Sequence, residues 1–121
     1  MCKILIVDDD ADIRAVARVT LVDAGHEVWE AANGRAALDL LAEHAKDLPC
    51  VVLVDLRMPV MDGWDLVAAL RSDARWKNIP IIVFSASIRD EFPPLLGAQA
   101  YWPKPPSPHH LESLGEHCRL H

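Results

Sequence analysis

Four groups of residues capable of chemistry stand directly behind apolar runs. Asp8, Asp9 and Asp10 follow Lys3-Ile4-Leu5-Ile6-Val7, and Asp55 follows Val51-Val52-Leu53-Val54. Ser85 and Ala86 follow Ile79-Pro80-Ile81-Ile82-Val83-Phe84, and Lys104 comes just after the weaker run from Ala98 to Trp102. The inventory is several carboxylates, one hydroxyl and one ammonium. Two carboxylates about 4 Å apart repel by several kcal/mol at an effective dielectric near 20. A cluster of three therefore raises its pKa values or binds a cation. A donor set made of oxygens suits Mg²⁺, which keeps waters and favours phosphate oxygens. A carboxylate can also act as a nucleophile and hold a phosphoryl group as an acyl phosphate. A metal, the Lys104 ammonium and the Ser85 hydroxyl would then stabilise charge on the phosphoryl oxygens.

Each group alone has a simpler reading. Asp8 to Asp10 could cap a helix, where Asp is favoured, and Asp10 is expected to do so in any case. Asp55 could begin a turn, Ser85 could satisfy backbone, and Lys104 could be a solvated surface lysine. The joint placement at strand ends is what favours a site.

The elements that would position these residues alternate. Short apolar runs rich in Val and Ile suit strands buried on both faces of a parallel sheet. Glu27 to Ala31 and Ala98 to Trp102 are more mixed and suit sheet edges; Pro103 agrees, since a central strand cannot spare the amide. Between the runs lie helical stripes. Ile13, Ala17, Thr20/Leu21 and Ala24 share one face, with Gly25 placed to stop the helix. Leu38, Leu41, Ala42 and Ala45 form a second stripe behind Asn33 as N-cap. Leu66, Val67 and Leu70 form a third, opened by Asp62-Gly63, and Ser107-Pro108 opens a last helix near His110 to Cys118. This β-α order, five times over, predicts a doubly wound parallel sheet with helices on both faces. In such sheets functional groups gather at the carboxyl ends of the strands, near the point where strand order reverses.

The bulk numbers fit one compact domain over residues 1–121, with a real core at 51% hydrophobic residues. A net charge of -6 with 12 scattered Lys and Arg argues against a nucleic-acid surface. No apolar run approaches the ~20 residues needed to cross a bilayer, and no signal peptide is expected. Cys2, Cys50 and Cys118 form no CxxC pair; reduced thiols in a cytoplasmic protein are the expectation.

With these residues in place, the sequence resembles the response-regulator receiver family, the fold of the chemotaxis regulator CheY. The resemblance runs from Ile4 to about Leu114. It is carried by Ile4-Leu5-Ile6-Val7-Asp8-Asp9-Asp10, Val54-Asp55-Leu56-Arg57-Met58-Pro59, Met61-Asp62-Gly63, Phe84-Ser85-Ala86 and Tyr101-Trp102-Pro103-Lys104-Pro105. It implies a flavodoxin-like (βα)5 fold with strand order 2-1-3-4-5. It also implies Asp55 as phosphoacceptor and a Mg²⁺ ion held by Asp8, Asp9, Asp55 and the Arg57 backbone carbonyl. Ser85 and Lys104 would contact the phosphoryl group, and Tyr101 would turn inward when Ser85 moves. Arg57 and Ser87 would flank the phosphoryl group and tune its lifetime. The Lys104-Pro105 bond would be cis.

The implied function is a phosphoacceptor switch. A histidine kinase or histidine phosphotransfer protein would be the donor, and a downstream protein or an output domain in a longer chain the target. A phosphorylation-dependent homodimer is compatible with this scheme. The domain would assist its own modification without being an enzyme in the turnover sense.

The segment from Ser87 to Leu96 departs from the family. It is about one helical turn short and carries Pro93-Pro94, so the fourth helix is expected to be short or broken. His117 and His121 are an i, i+4 pair near the chain end, for which a solvated tail is the simpler reading. Two rival functions stand beside the switch. A Mg²⁺-dependent aspartyl-phosphate phosphatase would need an acid two residues past the nucleophile, where Arg57 stands. A phosphate-independent interaction module would not need the complete set of Asp8, Asp9, Asp55, Ser85 and Lys104. A nicotinamide site is disfavoured, because no GxGxxG follows the first strand.

Overall fold

The computed structural model describes residues 3–55, 58–85 and 100–103, with the backbone alone at Ser85 and 100–103. In chain order the elements are β1 (Lys3–Val7), α1 (Ala11–Asp23), β2 (Glu27–Ala31), α2 (Gly34–Glu43), β3 (Val51–Asp55), α3 (Gly63–Ser72), β4 (Ile81–Ser85) and β5 (Ala100–Pro103). All pairings are parallel, and the sheet order is β2-β1-β3-β4-β5. This is the expected doubly wound order, with the two mixed strands at the edges. The fourth and last expected helices, Pro93-Pro94, the Lys104-Pro105 bond, Cys2, Cys118 and the histidine tail lie outside the described residues. Cys50, which is described, is an unpaired thiol.

Strand alternation divides the core in two. Leu5, Val7, Val52, Val54, Ile81 and Val83 pack with Ala37 and Leu41 of α2 and with Leu66, Val67 and Leu70 of α3. Ile4, Ile6, Val51, Leu53, Ile82 and Phe84 pack on the other face with Ala17 and Leu21 of α1. Helices therefore cover both faces, which is why these strands read as unbroken apolar runs. Each fully buried Leu, Ile or Phe contributes roughly 1.5–3 kcal/mol. Trp64 and Trp29 are partly buried against the first cluster, so both are packing residues.

The helix ends follow local chemistry. The Asp10 side chain accepts from the Asp12 and Ile13 amides and caps α1. Asn33 accepts from Ala36, and Asp62 from Asp65, at the starts of α2 and α3. At the end of α1 the Gly25 amide donates to Val22 O and the His26 amide to Leu21 O. With Gly25 at φ +95°, this is a Schellman stop.

Three sequence expectations need correction. Ala24 is the exposed C-cap of α1 and not part of its buried face. The buried row of α2 is Gly34, Ala37 and Leu41, whereas Ala42 and Ala45 are exposed. Ala42 sits about 100° round the helix from Leu41, away from the sheet, and Ala45 lies past the last turn. β4 begins at Ile81, not Ile79; Pro80 contributes only its carbonyl, which accepts from the Val52 amide at 2.9 Å.

Candidate functional site

β1 and β3 are neighbours at the point where strand order reverses, and Val7 lies opposite Val54. The next residue on each strand is Asp8 and Asp55. The register thus delivers two carboxylates to adjacent strand ends. Both are buried, Asp8 fully and Asp55 at 3% exposure, while Asp9 is exposed. One carboxylate oxygen from each of Asp8, Asp9 and Asp55 lies within 4.8 Å of the other two. At that separation each ionised pair repels by about 3 kcal/mol at an effective dielectric of 20. Three hard oxygen donors with one side open to water fit Mg²⁺ better than softer metals.

The loop that carries Asp8 and Asp9 is held tightly. The Asp8 amide donates to Ala31 O of β2 at 3.0 Å. Its Oδ1 accepts from the Asp10 amide at 2.8 Å. Its carbonyl accepts from Nη1 of Arg14, a residue on α1. Sequence reasoning missed Arg14, and also Glu30 on β2, which pairs with it. Their positions, one on a helix and one on an edge strand, carry no local motif that would have linked them.

The loop after Asp55 is also fixed. Met61 donates its amide to Pro59 O at 2.7 Å, around Val60 at φ +69°. A bond spanning three residues about a positive φ is the rarer, strained γ-turn. The Met61 carbonyl then accepts from the Gly34 amide, which docks the start of α2 on this loop.

Of the residues singled out from sequence, Asp8, Asp9 and Asp55 come together. Ser85 ends β4 next to β3, in the adjoining position of the sheet. Tyr101 lies on β5 opposite Val83. Arg57, Ser87 and Lys104 lie outside the described residues.

The fold and the acidic cluster define a doubly wound α/β protein with an oxygen-donor site at its switch point. Comparison with known proteins narrows this. The family model for the response regulator receiver domain matches residues 4–114. The chain belongs to this family. It is 38% identical over 114 residues to a probable transcriptional regulator, ycf27, of Porphyra purpurea, covering 92% of this chain and 44% of the relative. The chain thus spans less than half the length of that relative. Among solved structures, the chemotaxis protein CheY4 of Vibrio cholerae matches at 35% identity with a TM-score of 0.85, covering 96% of this chain and 97% of CheY4. The receiver domain of Francisella response regulator 1452 matches at 26% identity with a TM-score of 0.87, covering 99% and 98%. Among the described residues, no helix is long and apolar enough to cross a membrane.

Proposed function

We propose that the chain is a phosphoacceptor switch in which Asp55 takes a phosphoryl group from a phosphohistidine donor. The observation that carries this reading is the convergence of Asp8, Asp9 and Asp55 at the switch point of the sheet. In the step, an Asp55 carboxylate oxygen forms a bond to phosphorus as the bond to the donor imidazole nitrogen breaks. A proton returns to the departing imidazole. The donor is a histidine kinase or a histidine phosphotransfer protein.

Asp8, Asp9, Asp55 and the Arg57 carbonyl are the residues that would hold Mg²⁺. When bound, the ion supplies positive charge to the phosphoryl oxygens. In this reading Lys104 and the Ser85 hydroxyl contact the same oxygens, and Ser85 and Tyr101 move between two states of the domain. The domain has no turnover substrate beyond its own modification. It acts in the cytoplasm, through a protein target or an output domain in a longer chain. The relatives named as transcriptional regulators, more than twice the matched length, support the second arrangement. The net charge of -6 supports a domain that does not itself contact nucleic acid.

The test is intact mass after incubation with acetyl phosphate and Mg²⁺. One phosphoryl group should be gained, and the gain should vanish in Asp55→Asn and in EDTA. An unmodified chain, also after exposure to phosphorylated donor proteins, would favour the phosphate-independent interaction module.

A further inference from the structure

The Arg14 guanidinium lies where β2, α1 and the acidic loop meet. Its Nη1 donates to the Asp8 carbonyl oxygen at 2.5 Å, and its Nε donates to Glu30 Oε1 at 3.1 Å. The other Glu30 oxygen, Oε2, accepts from Arg18 Nη1 at 3.0 Å. Arg18 also reaches the Val28 carbonyl at 3.4 Å. The Arg14 side chain is only 18% exposed, so these contacts are partly shielded from water. Arg14 and Arg18 are one turn apart on α1, and Glu30 spans both.

From this arrangement we propose that Arg14 is a positioning residue for the acidic loop, and that Glu30 cancels its charge so that the loop can still hold a divalent cation. The proposal rests on the reading of Asp8, Asp9 and Asp55 as the cation-binding set. The Asp8 amide is held by Ala31 O, and Asp8 Oδ1 is held by the Asp10 amide. The Asp8 carbonyl is held by Arg14. That carbonyl belongs to the planar peptide unit that leads into Asp9. Rotating this peptide would turn Asp9, the exposed member of the cluster, away from its two buried partners. Arg14 therefore sets the direction of Asp9.

A bare guanidinium beside a cation site would repel the cation. The Glu30 carboxylate, in contact with both arginines, offsets that repulsion. Lysine could keep the charge at position 14, but not the fork that reaches the Asp8 carbonyl and Glu30 together. The Arg14–Glu30 pair thus delivers a fixed hydrogen bond with little net charge of its own, and the excess positive charge falls on Arg18, whose side chain is half-exposed to solvent.

The experiment is Mg²⁺ binding by calorimetry to the whole chain and its variants, with thermal melts to verify folding. Groups that orient metal ligands typically set affinity by 10–100-fold, so Arg14→Met should raise the Mg²⁺ Kd roughly 10-fold. Glu30→Gln should raise it by a smaller factor, and Arg14→Lys should fall between wild type and Arg14→Met. In phosphorylation by acetyl phosphate, Arg14→Met should shift the half-maximal Mg²⁺ concentration while the rate at saturating Mg²⁺ stays near that of wild type. A merely structural role would lower the melting temperature and leave the Kd of the folded chain unchanged. A folded Arg14→Met with the wild-type Kd overturns the proposal. If Arg14→Met does not fold, an unchanged Kd in both Arg14→Lys and Glu30→Gln overturns it. A wild-type chain that binds no Mg²⁺ would instead overturn the cation-site reading, and the proposal with it.

Discussion

The Gly34 amide donates to the Met61 carbonyl oxygen at 2.9 Å and so ties the start of α2 to the loop that follows Asp55. There is no room at this junction for a larger residue. A Cβ on Gly34 would meet Met61 Cγ at 2.8 Å and Met61 O at 2.9 Å. Gly34→Ala should therefore push α2 and the loop apart. Overpacking of this kind costs about 1–3 kcal/mol. Urea unfolding should show a lower midpoint with little change in slope. An unchanged midpoint would mean that the loop yields without strain.

Val60 is 82% exposed, β-branched and at φ +69°. A β-branched residue at positive φ is a steric outlier, and at this exposure little packing among the described residues compensates. Glycine takes a positive φ with no Cβ to clash, so Val60→Gly should relieve the strain and stabilise the fold by about 1 kcal/mol. The check is a higher melting temperature. A lower one would show that the valine side chain makes a contact worth more than its backbone strain.

Cation binding should appear as stability. Asp8, Asp9 and Asp55 repel one another when ionised, and a bound divalent ion relieves that repulsion. At ten times its Kd, Mg²⁺ should add about 1.4 kcal/mol to wild type, removable with EDTA. Asp55→Asn should be more stable than wild type in EDTA and gain less from Mg²⁺. Equal gains in the two proteins would exclude Asp55 from the ligand set.

Two groups, His26 and Asp73, make stability depend on pH. Burial lowers the pKa of His26 below its ordinary value of 6.5. The unfolded chain then binds a proton more readily than the folded one. Stability from this source is complete above about pH 6.5 and falls as the pH drops toward the lowered folded value. His26→Gln should flatten the slope of unfolding free energy just below about pH 6.5. Asp73 acts at lower pH. Hydrogen bonds from the Arg75 side chain and amide hold its pKa down to about 2, from 3.8. Its contribution is present above the unfolded value and lost as the pH falls through the folded one. Asp73 is part-exposed and its partner Arg75 is exposed, so solvent screening keeps that contribution small.

Much of this protein was legible in its sequence because the relevant signals are local. Unbroken apolar runs mark strands covered on both faces, and Asp10, Asn33 and Asp62 mark helix starts by satisfying amides two or three residues ahead. Gly25 marks a stop because it adopts a positive φ without steric cost. Asp8, Asp9 and Asp55 stood out by their place behind strands, and parallel β-α order brings such places together. What tertiary structure decided depends on neighbours distant in the chain. The rotation of α2, which buries Gly34, Ala37 and Leu41 and leaves Ala42 outside, is set where the helix meets the sheet and Met61. The register of Val7 against Val54 sets how closely Asp8 and Asp55 approach. The hold of Arg14 on the Asp8 carbonyl, with Glu30 beside it, joins a helix to an edge strand across 16 residues, a pairing that only the packed sheet could create.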